Sequence, residues 1–203
     1  MLPGIGVLCS GRGTNLQAIL NAARRGALPG RVAIVLSDNP QSMALQRAKR
    51  AGVPAQVIQR KNFPSREAFE EEYIAALELA GVSVVCLAGF MRILSPIFVR
   101  HFAGRILNIH PALLPSFPGA SGVKDALEWG VKVTGVTVHL VDEKVDHGPI
   151  VLQEAVAVTE RDTERTLLAK VHAAEHKLYP RAIRLMLDGK VKVEGRKAKV
   201  RGL

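Results

Sequence analysis

Cysteine is nearly absent from this 203-residue chain: Cys9 and Cys86 stand alone, each inside an apolar run, with no Cys-x-x-Cys pairing. That excludes a disulfide framework and a thiolate cluster for zinc or redox chemistry, and leaves both as small buried hydrophobes in a reducing compartment. Aromatic residues reach only 4%, too few for the stacking platforms on which single-stranded nucleic acids are read. No apolar run attains the roughly 18 residues that a membrane span requires, and the amino terminus has neither the charged start nor the cleavage site of a secretory signal. A soluble, cytoplasmic protein is therefore expected. Repeats, low-complexity tracts and Ser- or Gly-rich linkers are missing as well, so nothing marks a domain boundary. A chain of this length is expected to fold as one domain that buries about 70% of its unfolded surface.

Negative charge is also scarce. Lys and Arg number 28 against 18 Asp and Glu, a net charge of +10. Half of that excess lies in residues 190–203, where Lys190, Lys192, Arg196, Lys197, Lys199 and Arg201 face Glu194 alone. The expected division is a single domain over residues 1–189 and a solvated basic tail over 190–203. The charge left in the domain suits small anionic substrates at least as well as nucleic acid.

What is present is an alternation of strand and helix signals. Short β-rich apolar runs at Gly4 to Cys9, Val32 to Leu36, Ala55 to Ile58 and Ser83 to Ala88 predict βαβ units and a parallel sheet. The spacing of Phe69, Tyr73, Ala76 and Leu77 predicts a helix over Ser65 to Ala80, with Ser65 as its cap and Gly81 as its stop. Val133 to Val141 and Ile150 to Val156 read as strands that extend the same sheet. A long helix follows from about Thr163 to Asp188, in which Pro180 predicts a kink or break near Tyr179.

Two segments carry chemistry. Ser10-Gly11-Arg12-Gly13-Thr14-Asn15 joins the first strand to a helix expected over Leu16 to Arg25, where free backbone N–H groups and the helix dipole favour an anion. It lacks the Gly-Lys-Ser/Thr of a Walker A loop, and Leu16 occupies the third glycine position of the dinucleotide fingerprint, which demotes ATP and NAD. The second segment is Asn108, His110 and Pro111 at the end of the strand-like run Arg105 to Ile109. An amide and an imidazole there are poorly explained by packing, because buried polar groups need partners. Asp146, near the end of another strand-like run, could complete the group. Asn108 would donate to negative charge developing on a carbonyl oxygen, and Asp146 would favour a protonated His110 that donates as well. No Ser or Cys sits in a nucleophile elbow and no spacing resembles a metal site. Acyl-type transfer without a covalent intermediate or a metal is the reading.

Leu107-Asn108-Ile109-His110-Pro111-Ala112-Leu113-Leu114-Pro115, Ala88-Gly89-Phe90-Met91-Arg92-Ile93-Leu94-Ser95 and the Ser10 to Ile19 segment, in matching order, together resemble the phosphoribosylglycinamide formyltransferases. The resemblance runs from about Ile5 to Gly189. It implies an α/β, Rossmann-like formyltransferase fold with a mostly parallel seven-stranded sheet flanked by helices. It also implies transfer of a formyl group from 10-formyltetrahydrofolate to the amine of glycinamide ribonucleotide, the third step of purine biosynthesis, without a metal. Carried over, Asn108, His110 and Asp146 match the catalytic trio, and Gly13, Thr14 and Asn15 match the phosphate site. Glu175 matches a residue holding the ribose hydroxyls. Met91, Arg92, Ile93 and Leu94 match the wall of the folate pocket, Arg66 a position near its glutamate tail, and Val141 to Asp146 the loop that closes over the pteridine. The implied partners are these small molecules alone, with no nucleic acid or membrane, and the chain as monomer or homodimer.

The chain departs from the family at Ser121, where the family usually has His after Pro-Gly and one residue, and at His147, where a small residue is expected. Serine cannot carry charge near neutral pH, and His147 is a candidate to compensate from the other side of the site. Rival readings share the trio: a 10-formyltetrahydrofolate hydrolase, or a formyltransferase acting on methionyl-tRNA or a sugar nucleotide. The hydrolase is disfavoured because its first strand usually follows an extra domain, and the tRNA enzyme because it carries a sizeable domain after the long helix. A non-catalytic basic module binding nucleic acid is the rival from another class, and would show a steep salt dependence.

Overall fold

The β-rich runs pair into one sheet in the computed structural model, which describes residues 2–202. The elements in chain order are β1 (Gly4–Leu8), α1 (Thr14–Arg24), β2 (Arg31–Ser37), α2 (Met43–Arg50), β3 (Ala55–Val57), α3 (Arg66–Leu79), β4 (Val82–Leu87), α4 (Pro96–His101), β5 (Ile106–His110), α5 (Gly122–Glu128), β6 (Val133–Leu140), β7 (Ile150–Ala157), α6 (Glu164–Leu187), β8 (Val191–Glu194) and β9 (Lys197–Val200). The sheet order is β3-β2-β1-β4-β5-β6-β7. Strands β1 to β5 pair in parallel, and β6 and β7 are antiparallel additions. This is the seven-stranded, mostly parallel α/β sheet expected.

The period-2 alternation of strand side chains divides the core in two. Ile5, Val7, Val84 and Cys86 face the layer of α1 and α6, packing with Leu16, Ile19, Leu167 and Val171. Leu8, Val85 and Leu87 face the opposite layer, with Phe69, Tyr73, Leu77 and Phe98 from α3 and α4. With helices on both faces, the central strands are buried on both sides, hence their nearly continuous apolar sequence. Helix α3 begins as predicted: Ser65 Oγ accepts from the Ala68 N–H at 3.0 Å, and Gly81, at φ 67, follows its end.

Three expectations change. Helix α6 runs unbroken through Pro180. A proline in a helix interior costs about 3 kcal/mol, but Leu178, Tyr179, Ala182 and Ile183 around it are buried, and burial contributes about 1.5–3 kcal/mol per large apolar side chain. The Tyr179 hydroxyl also lies 2.8 Å from Leu87 O and 2.9 Å from Leu107 O, tying α6 to the last residue of β4 and the second of β5. Second, residues 190–200 are not a solvated tail. Strands β8 and β9 form an antiparallel hairpin whose Val191, Ala198 and Val200 pack against the main core. Third, β6 ends at Leu140, which leaves Asp146 in a connecting loop rather than near a strand end. Among the described residues no helix is long and apolar enough to cross a membrane.

Candidate active site

The sheet order reverses direction between β1 and β4, and in open α/β sheets the crevice beyond the carboxyl ends of the strands at such a point is where ligands bind. A cleft of about 680 Å³ opens there, lined from the β1–α1 loop, the segment after β4, the end of β5, the loop after β6 and helix α6.

Its floor near β1 is built from main chain. Helix α1 starts at Thr14, two residues earlier than expected, behind Gly13 in the left-handed conformation, and no side chain caps it. The first N–H groups of a helix have no intrahelical partner, so they remain available to a ligand. Gly13 is required: at φ +68 a Cβ would lie 2.7 Å from Ala44 Cβ and 2.8 Å from Ala44 Cα. Asn15 donates from Nδ2 to Glu175 Oε2 at 3.0 Å, and both residues line the cleft. Glu175 is buried on α6. Burial pushes its pKa up to about 7, against the opposing pull of the Asn15 bond. Asn15 Oδ1 is buried without a protein partner.

Asn108, His110 and Asp146 converge. Residues 108 and 110 project from β5 by the strand period, and Asp146 reaches them from the β6–β7 loop with φ 51, an uncommon conformation for a non-glycine residue. Gly148 allows that loop to fold back, since a Cβ there would lie 1.8 Å from Leu140 O. Asp146 Oδ2 accepts from the Gly119 N–H at 2.7 Å and lies 3.3 Å from His110 Nδ1. Its Oδ1 is 3.4 Å from Asn108 Nδ2 and 3.6 Å from His139 Nε2. Burial alone would raise the Asp146 pKa, but the adjacent His139 ring, the bond from the Gly119 N–H and the facing His110 outweigh it, and the net shift is downward.

The expectation that Asp146 holds His110 charged is only half met. Burial lowers the His110 pKa, and the opposing effects of Asp146 and the Phe117 carbonyl do not cancel it. His110 Nε2 lies 2.7 Å from Phe117 O; a carbonyl only accepts, so this nitrogen carries a proton. The Nδ1 side faces a carboxylate, so the doubly protonated ring satisfies both neighbours. The geometry suits the imidazolium while burial opposes it, and added negative charge in the cleft would decide between them.

On the other flank, Met91, Arg92, Ile93, Leu94 and Val141 line the cleft. Met91 and Ile93 are largely exposed, Arg92 pairs with Asp38 at 2.6 Å, and Ser10 Oγ accepts from the Met91 N–H at 3.0 Å. Arg66 is not among the lining residues. It donates from Nη2 to Ile93 O at 2.6 Å and from Nε to the buried Glu70 at 3.2 Å, bracing the 91–94 segment from behind. Ser121 is exposed at the start of α5 without a capping bond. His147 turns away from the trio to pair with Asp142 at 2.7 Å, so the structure does not support compensation from that side.

Sequence reasoning missed three participants. One is His139: β6 places it opposite Asn108, with its Nε2 3.2 Å from Asn108 Nδ2. Its Nδ1 lies 2.9 Å from the Leu140 carbonyl, so Nδ1 holds the proton and Nε2 accepts from the amide. The Gly119 N–H and the Phe117 carbonyl are main-chain groups that carry no residue-type signal. Only the density of Pro111, Pro115 and Pro118 hinted that this loop holds a fixed shape.

Residues 4–183 match the formyl transferase family. The phosphoribosylglycinamide formyltransferase of Escherichia coli K12 is 44% identical over 187 residues, covering 92% of this chain and 88% of that protein. The human trifunctional purine biosynthetic protein adenosine-3 is 47% identical over 189 residues, 93% of this chain but 19% of that protein; the chain thus spans about a fifth of that longer relative. A crystal structure of glycinamide ribonucleotide transformylase 1 from Symbiobacterium toebii superposes with a TM-score of 0.96 at 50% identity, covering 98% of this chain and 94% of that one.

Proposed function

Since the chain belongs to the formyl transferase family, we infer that it is an enzyme transferring a formyl group to the amine of glycinamide ribonucleotide in purine biosynthesis, and we propose 10-formyltetrahydrofolate as the donor. One observation supports this reading best: the trio sits in a single cleft that continues on one side into the main-chain cradle and Glu175 and on the other into an apolar wall. A hydrolase needs room only for water beside its donor. A cradle of free N–H groups with a buried carboxylate instead suits a phosphorylated ribose acceptor.

In this mechanism the cradle at Gly13, Thr14 and Asn15 holds the phosphate, Glu175 accepts from ribose hydroxyls, and Met91 to Leu94 with Val141 enclose the pteridine. The substrate amine attacks the formyl carbon, and the carbonyl electrons move to oxygen. Asn108 Nδ2 and His110 Nδ1 both contact Asp146 loosely, at 3.4 and 3.3 Å. These are longer than the ~2.7–2.9 Å of a tight charge-assisted bond, so both donors can be shared with an oxyanion lodged between them. That charge, added to Asp146, holds the imidazolium against burial. A proton leaves the attacking amine, and Asp146 helps a water deliver it to the folate nitrogen as the carbon–nitrogen bond to folate breaks. No covalent enzyme intermediate forms.

The test is a spectrophotometric assay with glycinamide ribonucleotide and 10-formyltetrahydrofolate, run beside His110→Ala. Turnover that depends on the amine and falls at least about a hundredfold in the variant, the scale of a lost oxyanion donor, is expected. Formate release without the amine would point to the hydrolase, and oligonucleotide binding that is indifferent to His110→Ala would point to the non-catalytic reading.

A further inference from the structure

We propose that Arg196, at the tip of the C-terminal hairpin, is a positioning residue for the loop that carries Asp146, acting through His147 and Asp142. The proposal rests on the reading of that loop as part of the formyl-transfer site. The hairpin is a fixed base: its apolar residues pack on the core, and the Arg201 N–H donates to Lys190 O at 3.0 Å. Gly195, at φ 59, turns the chain so that Arg196 Nη1 comes within 2.8 Å of His147 Nε2 and 3.2 Å of its Nδ1. His147 Nδ1 lies 2.7 Å from Asp142 Oδ2.

A carboxylate only accepts, so Nδ1 carries a proton toward Asp142, while the guanidinium nitrogen, close to both ring nitrogens, lies against the face of the ring. The ring thereby joins the Arg196 cation to the Asp142 carboxylate. The carboxyl of Asp142 also accepts from the Lys144 N–H through Oδ1 at 2.9 Å, tightening the loop, and Asp142 lines the cleft. From the other flank Arg100 on α4 pairs with Glu143 at 2.8 Å. A guanidinium therefore grips each side of a loop that has no regular structure of its own and holds Asp146 in an uncommon backbone conformation, the kind that persists only where its surroundings over-determine it. This gives a role to His147, which stands where the family resemblance leads one to expect a small residue, and to one cation of the basic segment.

Lys144 supplies a readout that does not depend on turnover. Tryptic cleavage after Lys144, followed by mass spectrometry, should run about two- to fivefold faster in Arg196→Ala and in His147→Ala, the range set by an exposed hydrogen-bonded charge contact. The double variant should be no faster than either single one, and Lys192→Ala, in the same hairpin but paired with Glu194, should match wild type. The KM for the formyl donor should rise in step while kcat at saturation holds. Unchanged cleavage in Arg196→Ala, additive effects in the double variant, or equal acceleration by Lys192→Ala would overturn the proposal. Because proteolysis reports the loop directly, a wrong substrate assignment would leave this result readable.

Discussion

Replacing Asp146 by Asn keeps size and shape but removes the charge around which the trio is arranged. In the native protein Oδ2 accepts from Gly119 at 2.7 Å and faces His110, while Oδ1 faces Asn108 and His139. An amide can meet only half of these demands. Turned one way, its NH2 opposes the Gly119 N–H; turned the other, it opposes the Asn108 NH2. The variant also loses the interaction that raises the His110 pKa against burial, so less of the ring can be protonated when the oxyanion forms. A loss of at least about a hundredfold in kcat, or ~2.7 kcal/mol of transition-state stabilisation, is expected, with a smaller change in KM because the substrate-holding groups are untouched. Stability shifts with a definite sign. Asp146 has a depressed pKa in the folded protein, so its ionised form contributes stability above the ordinary carboxylate range near ~3.9, and that contribution disappears as pH falls through the folded value. Denaturant melts should therefore show Asp146→Asn less stable than wild type at pH 7, with the gap closing in acid. Turnover within about threefold of wild type would refute the assignment of charge to this position.

Further outcomes follow from other parts of the cleft and core. Gly13→Ala, which forces a Cβ to within 2.8 Å of the Ala44 backbone at positive φ, should cost about 1–2 kcal/mol in thermal melts and raise the KM for the ribonucleotide more than that for the folate. Glu175, with its pKa pushed up to about 7, should bind ribose hydroxyls better as pH rises from 6 to 8, whereas Glu175→Gln should give a flat KM profile. A raised carboxyl pKa favours folding fully below the ordinary carboxylate range, and the advantage is lost as pH rises toward that value; Glu175→Gln should accordingly gain stability relative to wild type at pH 8 but not at pH 4. Tyr179→Phe strips the hydroxyl shared by Leu87 O and Leu107 O and should cost about 1–3 kcal/mol, read as a lower Tm with the m-value unchanged.

The legible parts share a local cause. Ser65 and Gly81 bound their helix because cap geometry needs only neighbouring atoms, and the apolar runs of β1, β2 and β4 were visible because burial on both faces suppresses polar residues. The basic segment was misread because its charge drew attention from its alternation: Val191, Val193, Ala198 and Val200 interleave with lysines at the strand period around Gly195. Pro180 was misread because its helix-breaking cost was weighed without the burial around it.

By itself the sequence determined the alternating α/β order, the glycine turn ahead of α1, and the presence of an amide and an imidazole at the end of β5, since each follows from residue type and short-range periodicity. Packing of the whole chain set His139 against Asn108, gave Asp146 and His110 their main-chain partners at Gly119 and Phe117, and brought Arg196 to the loop beyond β6. Those choices depend on strand register and on hydrogen bonds that, apart from the 7-residue reach between His110 and Phe117, join residues 27 to 49 apart in sequence. No local pattern encodes them, because they arise when the packed core brings distant backbone into contact.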